Sequence, residues 1–345
     1  MIPPPYLLYL GHCDDEFGIK TSRGLATFRR EDCVGEWRHD DCPFTLNLPR
    51  MDAAQGRAAG AKTLVLGIAN AGGQMGEAMV EDALAAIAAG MNVASGLHQR
   101  LREEPRLVRA AREMGVTLFD VRDPPANLPV GNGKRRAGNR LLTVGTDCSV
   151  GKMYTTLALW QALRQRGVSA DFRATGQTGI LIAGAGVPLD AVVADFISGA
   201  IEVLSPARED DGWDLIEGQG SLFHPSFAGV STGLLHGSQP RALVLCHDPS
   251  RPHMRGLPHY QLPSLADCLD ANLRLARLTS PEVQAVGIAL NTAKLDGAEA
   301  RRLCTATGES LGLPCTDPYR FGAEPIVDWM LQCFAPSPPR TTASA

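Results

Sequence analysis

Apolar positions along this chain fall alternately in short runs and in helical stripes. Residues 62–68 (Lys-Thr-Leu-Val-Leu-Gly-Ile) read as a buried strand leading into the small-residue loop Ala69-Asn70-Ala71-Gly72-Gly73. Met79, Ala83, Leu84, Ile87 and Ala88 then share one face of a helix that Gly90 stops. A strand at 92–95, a helix at 105–114 and a strand at 116–120 complete a β-α-β-α-β half of a doubly wound parallel sheet. In the first 50 residues the pattern marks only a strand at 6–10 and a turn before Lys20-Thr21.

The stretch from Pro124-Pro125 to Asn139 is rich in Pro, Gly and Arg and reads as a domain linker. Its Lys134-Arg135-Arg136 cluster reads as a solvated hinge. A strand at 140–144 opens a second domain, with further strands at 170–173, 214–216, 242–245 and 283–290. The expected organisation is α/β throughout. A Rossmann-like domain spans 1–130, a P-loop NTPase-like domain with a mostly parallel sheet spans 138–334, and 335–345 form a disordered tail.

Lys plus Arg number 33 against 37 Asp plus Glu, a net charge of −4, which argues against nucleic acid as a partner. No run of 18 apolar residues is present, which argues against a membrane span. Met1-Ile2-Pro3-Pro4-Pro5 lacks the basic and apolar regions of a signal peptide. The nine cysteines contain no C-x-x-C pair, so reduced thiols and a cytoplasmic location are expected. The expected partner is a small-molecule amino acid, and the expected assembly a homo-oligomer.

The strongest chemical signal is Gly145-Thr146-Asp147-Cys148-Ser149-Val150-Gly151-Lys152, a G-x-x-x-x-G-K match between a strand and a helix. Its glycines let backbone N–H groups converge on a phosphate, the helix N-terminus adds its dipole, and Lys152 adds a charge. The following residue, which ordinarily supplies a hydroxyl to Mg²⁺, is Met153, whose thioether is a poor ligand for a hard cation. Thr156 lies about 5 Å further along the helix, and Thr155 points away. The loop therefore reads as a phosphate holder with a compromised metal site, and no metal is assigned. Cys148 sits near a helix N-terminus but reads as a small packed residue.

Polar motifs follow the other strands: Ala174 to Gly179, Glu217-Gly218-Gln219-Gly220-Ser221 continuing to His224, Cys246-His247-Asp248 with Arg251 and Arg255, Asn291-Thr292, and Asp317-Pro318-Tyr319-Arg320. In an open parallel sheet such loops share a ligand crevice. Glu217 and His224 are the candidate bases. Thr175, Gln177, Gln219, Ser221, Arg251 and Arg255 are the candidate substrate contacts, the two arginines because their forks match carboxylates. His98 follows a strand of the first domain and is a further candidate, whereas His12, His39 and His259 read as surface or turn residues. The segment around Gly67 is not G-x-G-x-x-G, so a nicotinamide dehydrogenase is poorly supported.

The loop 145–152, the acid loop at Glu217 and Asn291 after a strand resemble the dethiobiotin synthetase branch of P-loop proteins. That resemblance implies an acid that helps hold Mg²⁺ and an asparagine that reads adenine. A resemblance covering nearly the whole chain rests on Gly96-Leu97-His98, the 174–179 motif, Asp195-Phe196, the 217–221 motif and Gly237-Ser238-Gln239-Pro240. These motifs are similar to those of a bacterial and archaeal family long known only as a domain of unknown function, with members assigned as D-glutamate N-acetyltransferases of the DgcN type. It implies acetyl-CoA as co-substrate and D-glutamate as acceptor, and with Met153 in the loop no requirement for Mg²⁺ is expected. The alternatives are an ATP-dependent ligase or kinase like dethiobiotin synthetase, and a non-catalytic nucleotide-binding switch or metallochaperone.

Overall fold

The computed structural model describes residues 2–16, 18–68 and 71–335. The chain divides into two compact units, one comprising residues up to Ala126 together with Ala174–Ala191, the other Asn127–Arg173 together with residues from Val192 onward. Ala69 and Asn70 of the expected small-residue loop, and the expected tail from 336, lie outside the described residues.

In the first unit β1 (Tyr6–Gly11), α1 (Lys20–Phe28), β2 (Cys33–Arg38), α2 (Ala53–Ala58), β3 (Thr63–Leu66), α3 (Glu77–Ala88), β4 (Asn92–Ser95), α4 (Pro105–Met114) and β5 (Leu118–Asp120) follow one another. They form an all-parallel sheet in the order β2-β1-β3-β4-β5. The central strands are covered on both faces, so β1 and β3 are buried throughout and carry unbroken apolar runs. On α3 the buried face is Met79, Val80, Ala83, Ala86 and Ile87. Ala88 is exposed and Leu84 half-buried, because the contact stripe drifts around the helix with its 3.6-residue period.

The second unit carries β6 (Asn139–Gly145), α5 (Lys152–Gln165) and β7 (Ala170–Arg173). The chain then passes through α6 (Gln177–Ala183), which belongs to the first unit, before returning. It continues with α7 (Ile197–Leu204), β8 (Trp213–Ile216), α8 (Ala228–Ser238), β9 (Ala242–His247), α9 (Leu265–Arg277), β10 (Gln284–Leu290), α10 (Gly297–Leu311), β11 (Cys315–Thr316) and α11 (Glu324–Cys333). The sheet is again all-parallel, in the order β11-β10-β9-β6-β8-β7. Leu141, Leu215, Val244 and Val286 pack with Leu159, Leu163, Ile326 and Met330. Each such fully buried side chain contributes about 1.5–3 kcal/mol. β6 is therefore fixed near the middle of the sheet, and its carboxyl end carries the phosphate loop. No helix among the described residues is long and apolar enough to cross a membrane.

Candidate functional site

The loop after β6 is shaped by two left-handed residues, Ser149 (φ 53°) and Gly151 (φ 104°). Right- and left-handed residues in alternation turn successive N–H groups toward one concavity, an anion-binding shape. Gly151 is also the N-cap of α5 and supplies no side-chain cap, and no acid lies in the first turn. The helix N-terminus is thus left open to an anion. Lys152 is almost wholly buried, and its Nζ donates to the Asp147 carbonyl at 2.8 Å. Burial pulls the Lys152 pKa below its ordinary value, a cost that a bound anion relieves.

The loop is clamped from behind. Asp147 is fully buried: Oδ1 accepts the Cys148 N–H at 2.6 Å, and Oδ2 accepts Arg251 Nη1 at 2.7 Å and the Arg255 N–H at 2.8 Å. Arg251 also donates to the carbonyls of Cys148 and Ser149, both at 2.7 Å, and pairs with Asp248 at 3.3 Å. Arg255 Nη1 donates to Ser149 Oγ at 2.6 Å. Both arginines, the candidates for a substrate's carboxylates, hold the phosphate loop through these bonds. His247, at the end of β9, shares a 2.9 Å bond between Nδ1 and Thr146 Oγ1, and burial lowers its pKa.

Asp147, Cys148 and His224 bring one ligand atom each within 4.8 Å of one another, a spacing that invites a metal reading. The electrostatics oppose it. The Asp147 charge is already neutralised by Arg251, Lys152 and Arg255 add positive charge, and burial pushes the Cys148 thiol pKa up. His224 is buried, and its Nδ1 accepts the Ser226 N–H at 3.2 Å. A backbone N–H can only donate, so the ring proton sits on Nε2 and His224 presents a donor.

Glu217 directly follows β8, the strand beside β6, and is buried. A Cβ on Gly218 would stand 1.7 Å from the Thr143 carbonyl oxygen, so only glycine lets the acid loop approach β6 this closely. The Gly218 N–H donates to Thr143 Oγ1 at 3.0 Å. Thr143 escaped the sequence reading, although a hydroxyl within the apolar run of β6 signals a needed partner. Ser221 is buried and its Oγ accepts the Phe223 N–H at 3.3 Å, while the Gln219 carbonyl accepts Ser231 Oγ at 2.8 Å. Thr156 donates to the Lys152 carbonyl at 2.7 Å and bonds Thr143, and Thr155 bonds Cys246. Neither hydroxyl replaces the one missing at Met153. Asn291 borders the loop, its Cβ 3.8 Å from where Gly151 would carry one.

Thr175 and Gln177 lie in the 174–191 segment, which belongs to the first unit. Thr175 is fully buried, and its carbonyl accepts the Leu189 N–H. The Gln177 amide donates to the Gly96 carbonyl at 2.6 Å and accepts from Arg122 at 3.3 Å. Thr178 bonds Thr21 at 2.9 Å, and Arg122 pairs with Asp190. These side chains hold α6 onto the first unit. His98 is exposed there, and His12 and His39 stack at 3.9 Å, bonded to Asp41 and Asp82 respectively.

Residues 31–124 match a family model described as a domain of unknown function (DUF1611_N), a Rossmann-like domain, and residues 129–327 match its partner (DUF1611_C), a P-loop domain. The chain is 48% identical over 326 residues to a Pseudoalteromonas sp protein named D-glutamate N-acetyltransferase, covering 94% of this chain and 98% of that one. It is 49% identical over 328 residues to a protein of the same name from Tritonibacter scottomollicae, covering 95% and 98%. The crystal structure of a DUF1611 family protein from Anabaena variabilis superposes with a TM-score of 0.88 at 35% identity, over 96% of this chain and 100% of that one. Both domains match in order, and the likeness runs the length of the chain: this protein belongs to the DUF1611 family.

Proposed function

We propose that this protein transfers the acetyl group of acetyl-CoA to the amino group of D-glutamate. The observation that carries the reading is the near-half identity, over 94–95% of the chain, with two proteins named for that activity. The phosphate loop supports acetyl-CoA as donor. The nucleotide part of CoA needs N–H donors and a lysine, whereas it needs no metal to stay intact, and Met153 stands where a metal-holding hydroxyl would be. Lys152, the first-turn N–H groups of α5 and the Nε2–H of His224 are the groups that would meet its phosphates.

In the reaction the neutral amine nitrogen attacks the thioester carbonyl to form the C–N bond, a base takes the proton that nitrogen sheds, and the C–S bond breaks as that proton is returned to the departing thiolate, so CoA leaves as the thiol. Glu217 is the proposed base. Its place beside the phosphate loop requires the pantetheine arm to fold back, since an extended arm carries the thioester well away from the phosphates. The test incubates the protein with acetyl-CoA and either enantiomer of glutamate, following free thiol and N-acetylglutamate. Thiol release that depends on D-glutamate and survives chelation is expected. Release independent of both enantiomers would overturn the acceptor, and product formation coupled to ATP consumption would favour the ligase reading.

A further inference from the structure

We propose that one ordered water molecule occupies an enclosed cavity beneath the acid loop, held by Asn272, Ser221 and Ser231, and that Asn272 acts through it as a positioning residue for Glu217. The catalytic consequence rests on Glu217 being the base, whereas the water site stands on the geometry of the second unit alone.

The cavity lies between the end of β6, the loop residues Gln219 to Leu222, and side chains of α8 and α9. It offers about 10 Å³ to a water-sized sphere, room for one molecule. Gly220 helps to keep it open. Its φ is 63°, and a Cβ there would stand 2.7 Å from Ser231 Oγ, so the loop passes over α8 with no side chain to fill the space. The lining residues are uncharged, so an ion entering the cavity would find no countercharge.

A wholly apolar lining would keep such a space dry, but this one carries polar groups that are only half satisfied. Asn272 lies within α9 and is 2% exposed. Its Nδ2 donates to the Cys268 carbonyl at 2.7 Å and to Cys268 Sγ at 3.6 Å, which occupies both amide protons. Its Oδ1 has no donor among the described residues. Ser221 is equally buried, and its Oγ accepts the Phe223 N–H at 3.3 Å, while its hydroxyl proton has no acceptor among the described residues. Ser231 directs its proton to the Gln219 and Phe227 carbonyls, at 2.8 and 3.3 Å, and keeps a lone pair free to accept. A single water meets these needs together: it accepts from Ser221 and donates to Asn272 Oδ1 and Ser231 Oγ. The consequence for Glu217 follows from the chain. On one side the acid loop is held by the Gly218 N–H on Thr143 Oγ1. The water pins its other end, at Ser221, to α8 and α9.

The experiment combines crystal structures of wild type, Asn272→Val and Ser221→Ala with acetyl-transfer kinetics and calorimetric titration of CoA. The wild-type structure is expected to show one water within hydrogen-bond distance of Asn272 Oδ1, Ser221 Oγ and Ser231 Oγ. Both variants should lose it and displace the Glu217 carboxylate. In each, kcat should fall about tenfold at unchanged CoA affinity, and the double variant should lose no more than either alone. Asn272→Asp, which keeps an acceptor oxygen, should retain the water and most of the rate. A dry cavity in the wild type, or Glu217 unmoved in both variants, overturns the proposal. So do losses that multiply in the double variant, or a lower melting midpoint with kcat unchanged. If the wild type transfers no acetyl group, the transferase reading falls separately, and the crystal structures alone decide on the water and the loop.

Discussion

Replacing Arg251 by Met separates two uses of that residue. As a partner for a substrate carboxylate, Arg251 would matter for acceptor KM and little for stability. The structure instead gives it bonds to Asp147, Cys148, Ser149 and Asp248, with Asp147 fully buried and only 11% of the Arg251 side chain exposed. Removing one partner of a buried ion pair costs about 3–5 kcal/mol, because the remaining charge stays out of water. Here the Arg255 and Cys148 N–H groups still serve Asp147, which places the expected loss toward 3 kcal/mol. In a domain of 150–250 residues each kcal/mol moves the midpoint by about 2–4 °C, so a fall of roughly 6–12 °C is expected by calorimetry. Isothermal titration should show CoA binding weakened as well, since the loop carbonyls lose their anchor. Arg251→Lys should restore little, because an ammonium cannot span the same acceptors. An unchanged midpoint together with a defect confined to the D-glutamate KM would refute the clamp.

Lys152→Met should weaken CoA binding by about 1.5–3 kcal/mol, while the ligand-free midpoint holds or rises, because the buried ammonium costs stability until an anion arrives; a lower ligand-free midpoint with full CoA affinity would reverse that assignment. His247 has a folded pKa below its ordinary 6.5, so the unfolded chain binds the extra proton first on acidification. Its contribution is complete above about pH 6.5 and is lost as pH falls through the folded value; His247→Asn should flatten this part of a stability-against-pH curve, and identical curves would exclude the effect. Glu217→Gln should lower kcat by about 10²–10⁴ and leave CoA affinity intact if Glu217 takes the amine proton. A change confined to CoA affinity would place Glu217 on the phosphate side and the base elsewhere.

Much of the fold was legible because its signals are local. Strands buried on both faces read as apolar runs, which is why β3, β6, β9 and β10 were found close to their observed limits. The phosphate loop was legible for the same reason, since G-x-x-x-x-G-K confines its chemistry to eight consecutive residues. β2 was not, because Cys-Val-Gly-Glu-Trp-Arg carries a charge that only tertiary bonds make tolerable: Glu36 is fully buried and accepts from Arg38, Thr45 and the Leu46 N–H. α1 hid likewise behind Thr21 and Ser22, whose hydroxyls are buried against Thr178 and the Tyr9 carbonyl. β11 is two residues long and has no periodicity to read. The roles of polar side chains were decided last. Chain spacing can show that Arg251 and His224 lie near a strand end, but a guanidinium serves whichever acceptors surround it, and an imidazole takes the tautomer its neighbours impose. The sequence by itself therefore determined where the phosphate-loop motif lies, whereas the assignment of Arg251 to the loop, of His224 as a donor and of the 174–191 segment to the first unit came from contacts between residues far apart in the chain.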